Sequence, residues 1–411
     1  MVQTEGFKFI DGGVCAAKGF VAGGINAHIK KNSKKNDLAI VYCETMCNAA
    51  ALYTQNKVKG APITVTKKHL ENGKAQAVVV NSGNANTCNA NGIEIAEGMC
   101  ELTAKALGLS AEDIIVASTG VIGQQMTMEP FNDNIPALAK TLSAEGWNAA
   151  CEAIMTTATR KKMFAVEFEL DGKTCHIGGM SKGSGMINPN MATMLGFVTT
   201  DVSITSEMLD KALRTVNAVT YNMVSVDGDT STNDTLAIMA SGFAGNNEIS
   251  AEGEAFDKFV KGLYAVMMNL ARETARDGEG ATRLIECIVT NAPTQKDAQV
   301  VAKSVISSSL LKAAIFAADA NWGRILCAIG YADADFDISK VSVDLASKAG
   351  KIAVCENGAG VDFSEDEAYK ILSEEEIQIL VDLHESGNGE ATAWGCDLTY
   401  DYVKINAEYR S

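Results

Sequence analysis

Apolar and polar positions along this chain follow two different periods. Short apolar runs at 38–43, 77–80, 114–116, 166–170 and 285–289 have the length and composition of buried strands. Between them, residues 255–275 place Phe256, Phe259, Val260, Leu263, Met267 and Leu270 at three- and four-residue steps, one apolar stripe of a helix. A second helix is predicted from 297 to about 317, with Val301, Val305, Leu311 and Ile315 facing inward. Both read as core helices. Strand and helix patterns alternating throughout predict a mixed α/β fold of layered sheets and helices. Only five prolines occur, and no Ser/Gly/Pro-rich linker, repeat or low-complexity tract marks a domain boundary.

Composition narrows the function classes. The length of 411 residues suggests two or three domains. Hydrophobic residues at 47% and charged residues at 21% argue against disorder and coiled coil. With 35 Lys+Arg against 51 Asp+Glu, the net charge is −16. A surface so acidic repels nucleic-acid backbones and anionic lipids, so neither is an expected partner. No apolar run is long enough for a membrane-spanning helix, and Glu5 and Asp11 stand where a signal peptide needs basic and apolar stretches. The expectation is a soluble, cytoplasmic protein. Its eleven cysteines are scattered, and the closest pair, Cys43 and Cys47, has no second pair or paired histidines nearby. They read as reduced, mostly buried thiols, and no metal site is expected.

Standard signatures are missing: no phosphate loop, dinucleotide turn or H-E-x-x-H helix occurs. The stretch 227–234 starts like a calcium loop but has Thr232 at the glycine position and Ile238 at the bidentate-glutamate position. It reads instead as a tight polar turn that can buttress a site. The four histidines, His28, His69, His176 and His384, stand in no nucleophile context, and there is no G-x-S-x-G elbow. Acyl chemistry here would need another base, such as the α-amine of an N-terminal threonine. Small-residue segments are conspicuous at 81–86 (NSGNAN), 117–123 (ASTGVIG), 182–187 (KGSGMI) and 276–282 (RDGEGAT). Glycine lets backbone approach a ligand and aim N–H groups at developing charge. Four such segments with embedded Lys, Glu and Thr point to a site.

The block 182–201, KGSGMINPNMATMLGFVTTD, closely resembles the ornithine acetyltransferase family, the glutamate N-acetyltransferases of arginine biosynthesis. The resemblance continues at 55–62 (QNKVKGAP), 81–86, 118–123, 225–235 (SVDGDTSTNDT), 276–282, 319–331 (DANWGRILCAIGY) and 391–411. These blocks run in order through the whole chain. The resemblance implies self-cleavage at Ala192–Thr193, a chain 1–192, and a chain 193–411 that begins with the nucleophile Thr193. It also implies a self-cleaving threonine-nucleophile acyltransferase architecture and an α2β2 assembly. The chemistry is coherent: Thr193 Oγ attacks the Ala192 carbonyl, an N→O acyl shift gives an ester, and water frees a Thr amine beside its own hydroxyl.

By the same resemblance, Thr193 takes the acetyl group of N2-acetyl-L-ornithine as an ester and passes it to L-glutamate, with Thr119 and Gly120 as oxyanion hole. Thr156, Lys182, Thr193, Glu279, Asn406 and Ser411 match the family's substrate-binding positions. Lys182 suits an α-carboxylate and Glu279 the ornithine ammonium. No cofactor is implied, and use of acetyl-CoA as a second donor is left open. The chain departs from the family's pattern at Ala158, where Asp is usual, at Asn188, often Ala, and at Ser411, commonly Thr. The missing carboxylate at 158 puts the contact of Thr156, on the same loop, in question. Two competing readings are a threonine-nucleophile aminopeptidase or amidase, which passes its acyl group to water, and an uncleaved binding module.

Overall fold

The structure is a computed structural model that describes residues 1–30, 33–188 and 194–408. In chain order it begins with β1 (Lys8–Ile10), β2 (Phe20–Ile25), β3 (Leu38–Tyr53), α1 (Ala61–His69), β4 (Lys74–Asn84), α2 (Gly92–Leu107), β5 (Ile114–Val121), α3 (Glu129–Ala139) and α4 (Trp147–Ile154). Next come β6 (Lys162–Leu170), β7 (Lys173–Lys182), β8 (Leu195–Thr200), α5 (Ser206–Ala218), β9 (Val224–Ser225), β10 (Thr235–Ala240) and α6 (Glu254–Arg276). They are followed by β11 (Leu284–Ala292), α7 (Gln295–Ser307), α8 (Ser309–Phe316), α9 (Trp322–Gly330), β12 (Ser342–Ser347), β13 (Gly350–Glu356) and β14 (Ala359–Gly360). The chain ends with α10 (Glu365–Leu372), β15 (Glu376–Asp382), β16 (Gly389–Cys396) and α11 (Tyr400–Glu408).

Among the described residues the strands form two sheets. One has nine strands in the order β1-β6-β7-β8-β10-β3-β4-β5, with β2 also paired to β3; the other has seven, β14-β13-β12-β15-β11-β16-β9. The expected mixed α/β architecture is therefore present, with both parallel and antiparallel neighbours. All five runs expected to be strands lie inside strands. The first is longer than its apolar run, because β3 bulges between Tyr42 and Cys47, pairs with β4 again at Cys47 and Asn48, and continues along β10 from Asn48 to Tyr53.

Helix α6 lies between the sheets. Its Val266 and Leu270 side chains pack over Gly179 of β7, while Arg272 reaches Glu286 of β11 through Nε at 2.7 Å. Phe259, Leu263, Met267 and Leu270 are fully buried, as their spacing requires. The second expected helix is two. Ser308 is extended (φ −70°, ψ 108°) and its hydroxyl accepts from Leu311 N–H, so α7 stops and α8 starts with its own cap. The two axes differ by 57°. Val301, Val305, Leu311 and Ile315 are nonetheless all buried. No single helix among the described residues is long and apolar enough to cross a membrane.

Candidate active site

Strands β4 and β5 run parallel, and the small-residue segments lie at their carboxyl ends. Ser82 pairs with Thr119 and Gly83 with Gly120, and a bulge at Asn84 then bends the pair. Thr119 and Gly120 lie within β5, because the small residues of both strands let the ladder continue to Val121. Gly120 has φ +134°, and a Cβ there would sit 2.3 Å from the Gly83 carbonyl carbon. Only glycine fits, so the Gly120 backbone stays bare beside Thr119.

The loop between β9 and β10 buttresses this end of the sheet. Asn233 donates through Nδ2 to the Ala85 carbonyl at 2.5 Å and the Ser118 carbonyl at 3.0 Å. Its Oδ1 accepts from the hydroxyls of Thr87 and Thr232, both at 2.6 Å. One saturated amide thus ties three segments together. Asp227, in the same stretch, accepts from the N–H groups of Met186 (2.6 Å) and Ile187 (2.9 Å) and from the Tyr402 hydroxyl at 3.3 Å. The polar turn read from 227–234 therefore braces the glycine-rich segment after β7. Asn188, one of the departures, donates to the Gly228 carbonyl at 3.0 Å, a bond that alanine would lack.

Opposite lies the loop 155–161. Ala158 is buried, and the loop is fastened by a carboxylate from another segment. Asp277 accepts from the Thr159 N–H and hydroxyl, from the Arg160 N–H, and from Lys162 Nζ at 2.5 Å. Thr157 and Ser184 share a hydroxyl hydrogen bond of 2.7 Å. Glu279 N–H donates to the Ser184 carbonyl at 2.9 Å, and its carboxylate fills the space that a Cβ on Gly185 would occupy. Asn406 Nδ2, on α11, donates to Glu279 Oε2 at 2.8 Å.

These segments close one cleft, lined by Thr119, Gly120, Thr156, Lys182, Glu279 and Asn406 together with Asn233 and Thr157. Six expected site residues from five parts of the chain thus meet in one place. Ala192, Thr193 and Ser411 lie outside the described residues. The next residue, Met194, stands beside the cleft: its carbonyl accepts from Thr235 N–H at 3.0 Å, and a Cβ on Gly183 would lie 3.5 Å from its own. Lys182 opens onto the cleft but its ammonium is enclosed. Burial pulls its pKa down to about 8, against the opposing pull of Asp234, so it is mostly charged at neutral pH. Asn233, Asp227 and Asp277 were not singled out from sequence; the first two sit in the flagged polar turn, and the third carried no local signal beyond its place in the glycine-rich 276–282 segment. Among the described residues no group of three or more His, Cys, Asp or Glu is placed to hold a metal ion.

Comparison with known proteins identifies the family of the chain. The model of the ArgJ family matches residues 21–411. The arginine biosynthesis bifunctional protein ArgJ of Caldanaerobacter subterraneus subsp. tengcongensis is 50% identical over 98% of this chain and 100% of its own. That of Symbiobacterium thermophilum is 49% identical, with the same shares covered. The crystal structure of arginine biosynthesis bifunctional protein ArgJ from Bacillus halodurans is 46% identical, with 53% of this chain and all of the solved chain covered and a TM-score of 0.50. The chain belongs to the ArgJ family.

Proposed function

We propose that this protein is a self-processing acetyltransferase of arginine biosynthesis. It is cut between Ala192 and Thr193 into chains 1–192 and 193–411. Thr193 then moves the acetyl group of N2-acetyl-L-ornithine to L-glutamate, giving L-ornithine and N-acetyl-L-glutamate. Thr119, Gly120, Thr156, Lys182, Glu279 and Asn406 line one cleft beside Met194, the residue bonded to Thr193. That convergence carries the proposal. The solved Bacillus halodurans chain matches 53% of this one, the share that residues 193–411 make up (219 of 411), and this supports a chain that starts at Thr193.

The residues divide the work as follows. Thr193 Oγ attacks the acetyl carbonyl and gives its proton to its own α-amine. The Thr119 hydroxyl and Gly120 N–H donate to the oxyanion. The tetrahedral centre collapses, ornithine leaves with the proton, and acetyl stays on Oγ as an ester. Glutamate's amine then attacks the ester by the reverse sequence. The Lys182 ammonium pairs with the substrate α-carboxylate, and the Glu279 carboxylate, oriented by Asn406, takes the ornithine side-chain ammonium. Both steps exchange an acyl group between nucleophiles without redox change, so they need no metal or dissociable cofactor. The bifunctional name of the relatives supports a second donor, acetyl-CoA, for the same acetyl-Thr193. The processed chains assemble as α2β2 in the cytoplasm.

The test is release of ornithine from N-acetylornithine with and without glutamate, in the wild type and in Thr193→Ala. Turnover that requires glutamate and is lost in Thr193→Ala is the expected result. Sustained ornithine release into water without glutamate would make the protein a hydrolase of the amidase type.

A further inference from the structure

Thr119 and Gly120 have to hold two hydrogen-bond donors still, yet they stand on a thinly supported piece of chain. β5 is the last strand of its sheet, and among the described strands β4 is its one neighbour. An edge strand has a single ladder to fix its peptides. Gly120, at φ +134°, adds freedom because it has no Cβ to limit its rotation. An oxyanion hole works only when its donors are aimed before the charge forms. A misplacement of about 1 Å costs on the order of 100-fold in rate. Such donors therefore need support from a second set of contacts beyond the β4–β5 ladder.

The bonds around Asn233 bracket those two residues. Its Nδ2 donates to the Ser118 carbonyl, immediately before Thr119, and to the Ala85 carbonyl. The Ala85 N–H in turn donates to the Val121 carbonyl at 3.0 Å, immediately after Gly120. Ser118 and Val121 are thus tied to one unit, and Thr119 and Gly120 are the residues between them. The amide has one orientation. Two backbone carbonyls, which only accept, require its NH2 on their side, and the Thr87 and Thr232 hydroxyls meet its Oδ1 on the other. Asn233 lines the cleft, but it is 6% exposed, and its two donor and two acceptor sites are all taken inside the protein. Nothing is left over for a substrate, so its part in the wall is to hold and not to bind.

We propose that Asn233 is the positioning residue of the oxyanion hole, resting on the reading of Thr119 and Gly120 as that hole. Its amide fixes the Ser118–Thr119 peptide, from which the Thr119 side chain and, one peptide further, the Gly120 N–H project. Without the amide, the Ser118 and Ala85 carbonyls lose their common donor and β5 is free to turn about Gly120. A neutral substrate carbonyl gains much less from the hole than the oxyanion does. The loss of Asn233 therefore falls on kcat and leaves KM nearly unchanged. Asp277 gives the contrast: it fastens the loops that carry Thr156 and Glu279, so its loss falls on KM.

The experiment measures kcat and KM for acetyl transfer from N-acetylornithine to glutamate, per mole of cut chain and well below each melting temperature. The proteins are the wild type, Asn233→Ala, Asn233→Asp, Thr119→Ala and Asn233→Ala/Thr119→Ala. Asn233→Asp keeps the shape and the Thr87 and Thr232 bonds and removes the two donors. Both Asn233 variants should lose roughly 30- to 100-fold in kcat with KM changed less than about threefold. The double variant should lose at least about tenfold less than the product of the two single losses, because groups that act as one unit are not additive. The split between kcat and KM tests the role by itself; the double variant tests whether it acts through Thr119. Wild-type kcat in Asn233→Asp, a rise in KM that matches the fall in kcat, or a fully multiplicative loss in the double variant overturns the assignment. So does failure of both Asn233 variants to give a folded, cut protein, which would make the amide a folding residue. Wild-type kcat in Thr119→Ala would instead remove the reading beneath it.

Discussion

Lys162 Nζ lies 2.5 Å from Asp277 Oδ2, with both side chains almost wholly buried. The pair joins the loop that carries Thr156 to the loop that carries Glu279, so two walls of the cleft share one anchor. Asp277 also accepts from Thr159 and Arg160, so it fastens the loop along residues 159 to 162.

Lys162→Met should therefore leave a buried carboxylate without its ion and cost about 3–5 kcal/mol. The urea unfolding midpoint measures this. Lys162→Met/Asp277→Asn should cost less than the two single changes added together. KM for N-acetylornithine should rise in the single variants, because Thr156 and Glu279 loosen together.

The proposed oxyanion pair gives a contrast between neighbouring residues. Thr119→Ala should reduce kcat by about 100- to 1,000-fold with little change in melting temperature. Gly120→Ala should damage both, since its Cβ would lie 2.3 Å from the Gly83 backbone. Gly123→Ala meets nothing within 4 Å and should cost only the strain of its positive φ, about 1–2 kcal/mol. Equal effects of all three on kcat would contradict the assignment.

The Lys182 amine, with its pKa drawn down by burial to about 8, is charged below that pH and neutral above it. Binding of an α-carboxylate should accordingly weaken as pH rises through about 8. KM for glutamate measured from pH 6.5 to 9.5 should rise on the alkaline side. Lys182→Met should have a high KM throughout and lack that limb.

Much of the fold is legible from apolar period, and the failures have particular causes. Helix α6 keeps one apolar stripe along its length, so its spacing locates it. The pattern of α7 continues into α8 across Ser308, and only the Ser308 hydroxyl, bonded to the Leu311 N–H, ends one helix and starts the other. Most of the second sheet was not read as strands: β12, β13 and β15 are short, and polar residues interrupt their apolar positions. The site was legible mainly as a resemblance. Thr156, Lys182, Glu279 and Asn406 meet through contacts between segments distant in the chain, which no local spacing encodes. Asn233 and Asp277 hold those loops together, and neither looks different from a surface residue in the sequence.

A pH effect on stability is expected far from the cleft. The His176 pKa is raised, chiefly by its hydrogen bond to Asp201, while burial opposes the rise. A raised value means that the folded chain holds a proton the unfolded chain has released. This contribution is fully present below about 6.5, the unperturbed value, and is lost as pH rises through the folded value. His176→Gln should therefore destabilise more at pH 6 than at pH 9, read as the difference in urea midpoint from wild type. A constant difference would show that charge on His176 contributes nothing.

The central claim is a cut before Thr193 and an acetyl ester on its hydroxyl. Denaturing mass spectrometry of the purified protein, before and after mixing with N-acetylornithine, tests both at once. Two chains with the masses of residues 1–192 and 193–411 are expected, the second gaining roughly 42 Da on acetylation. A single uncut chain of 43.4 kDa, or two chains of which neither gains an acetyl group, would contradict the account.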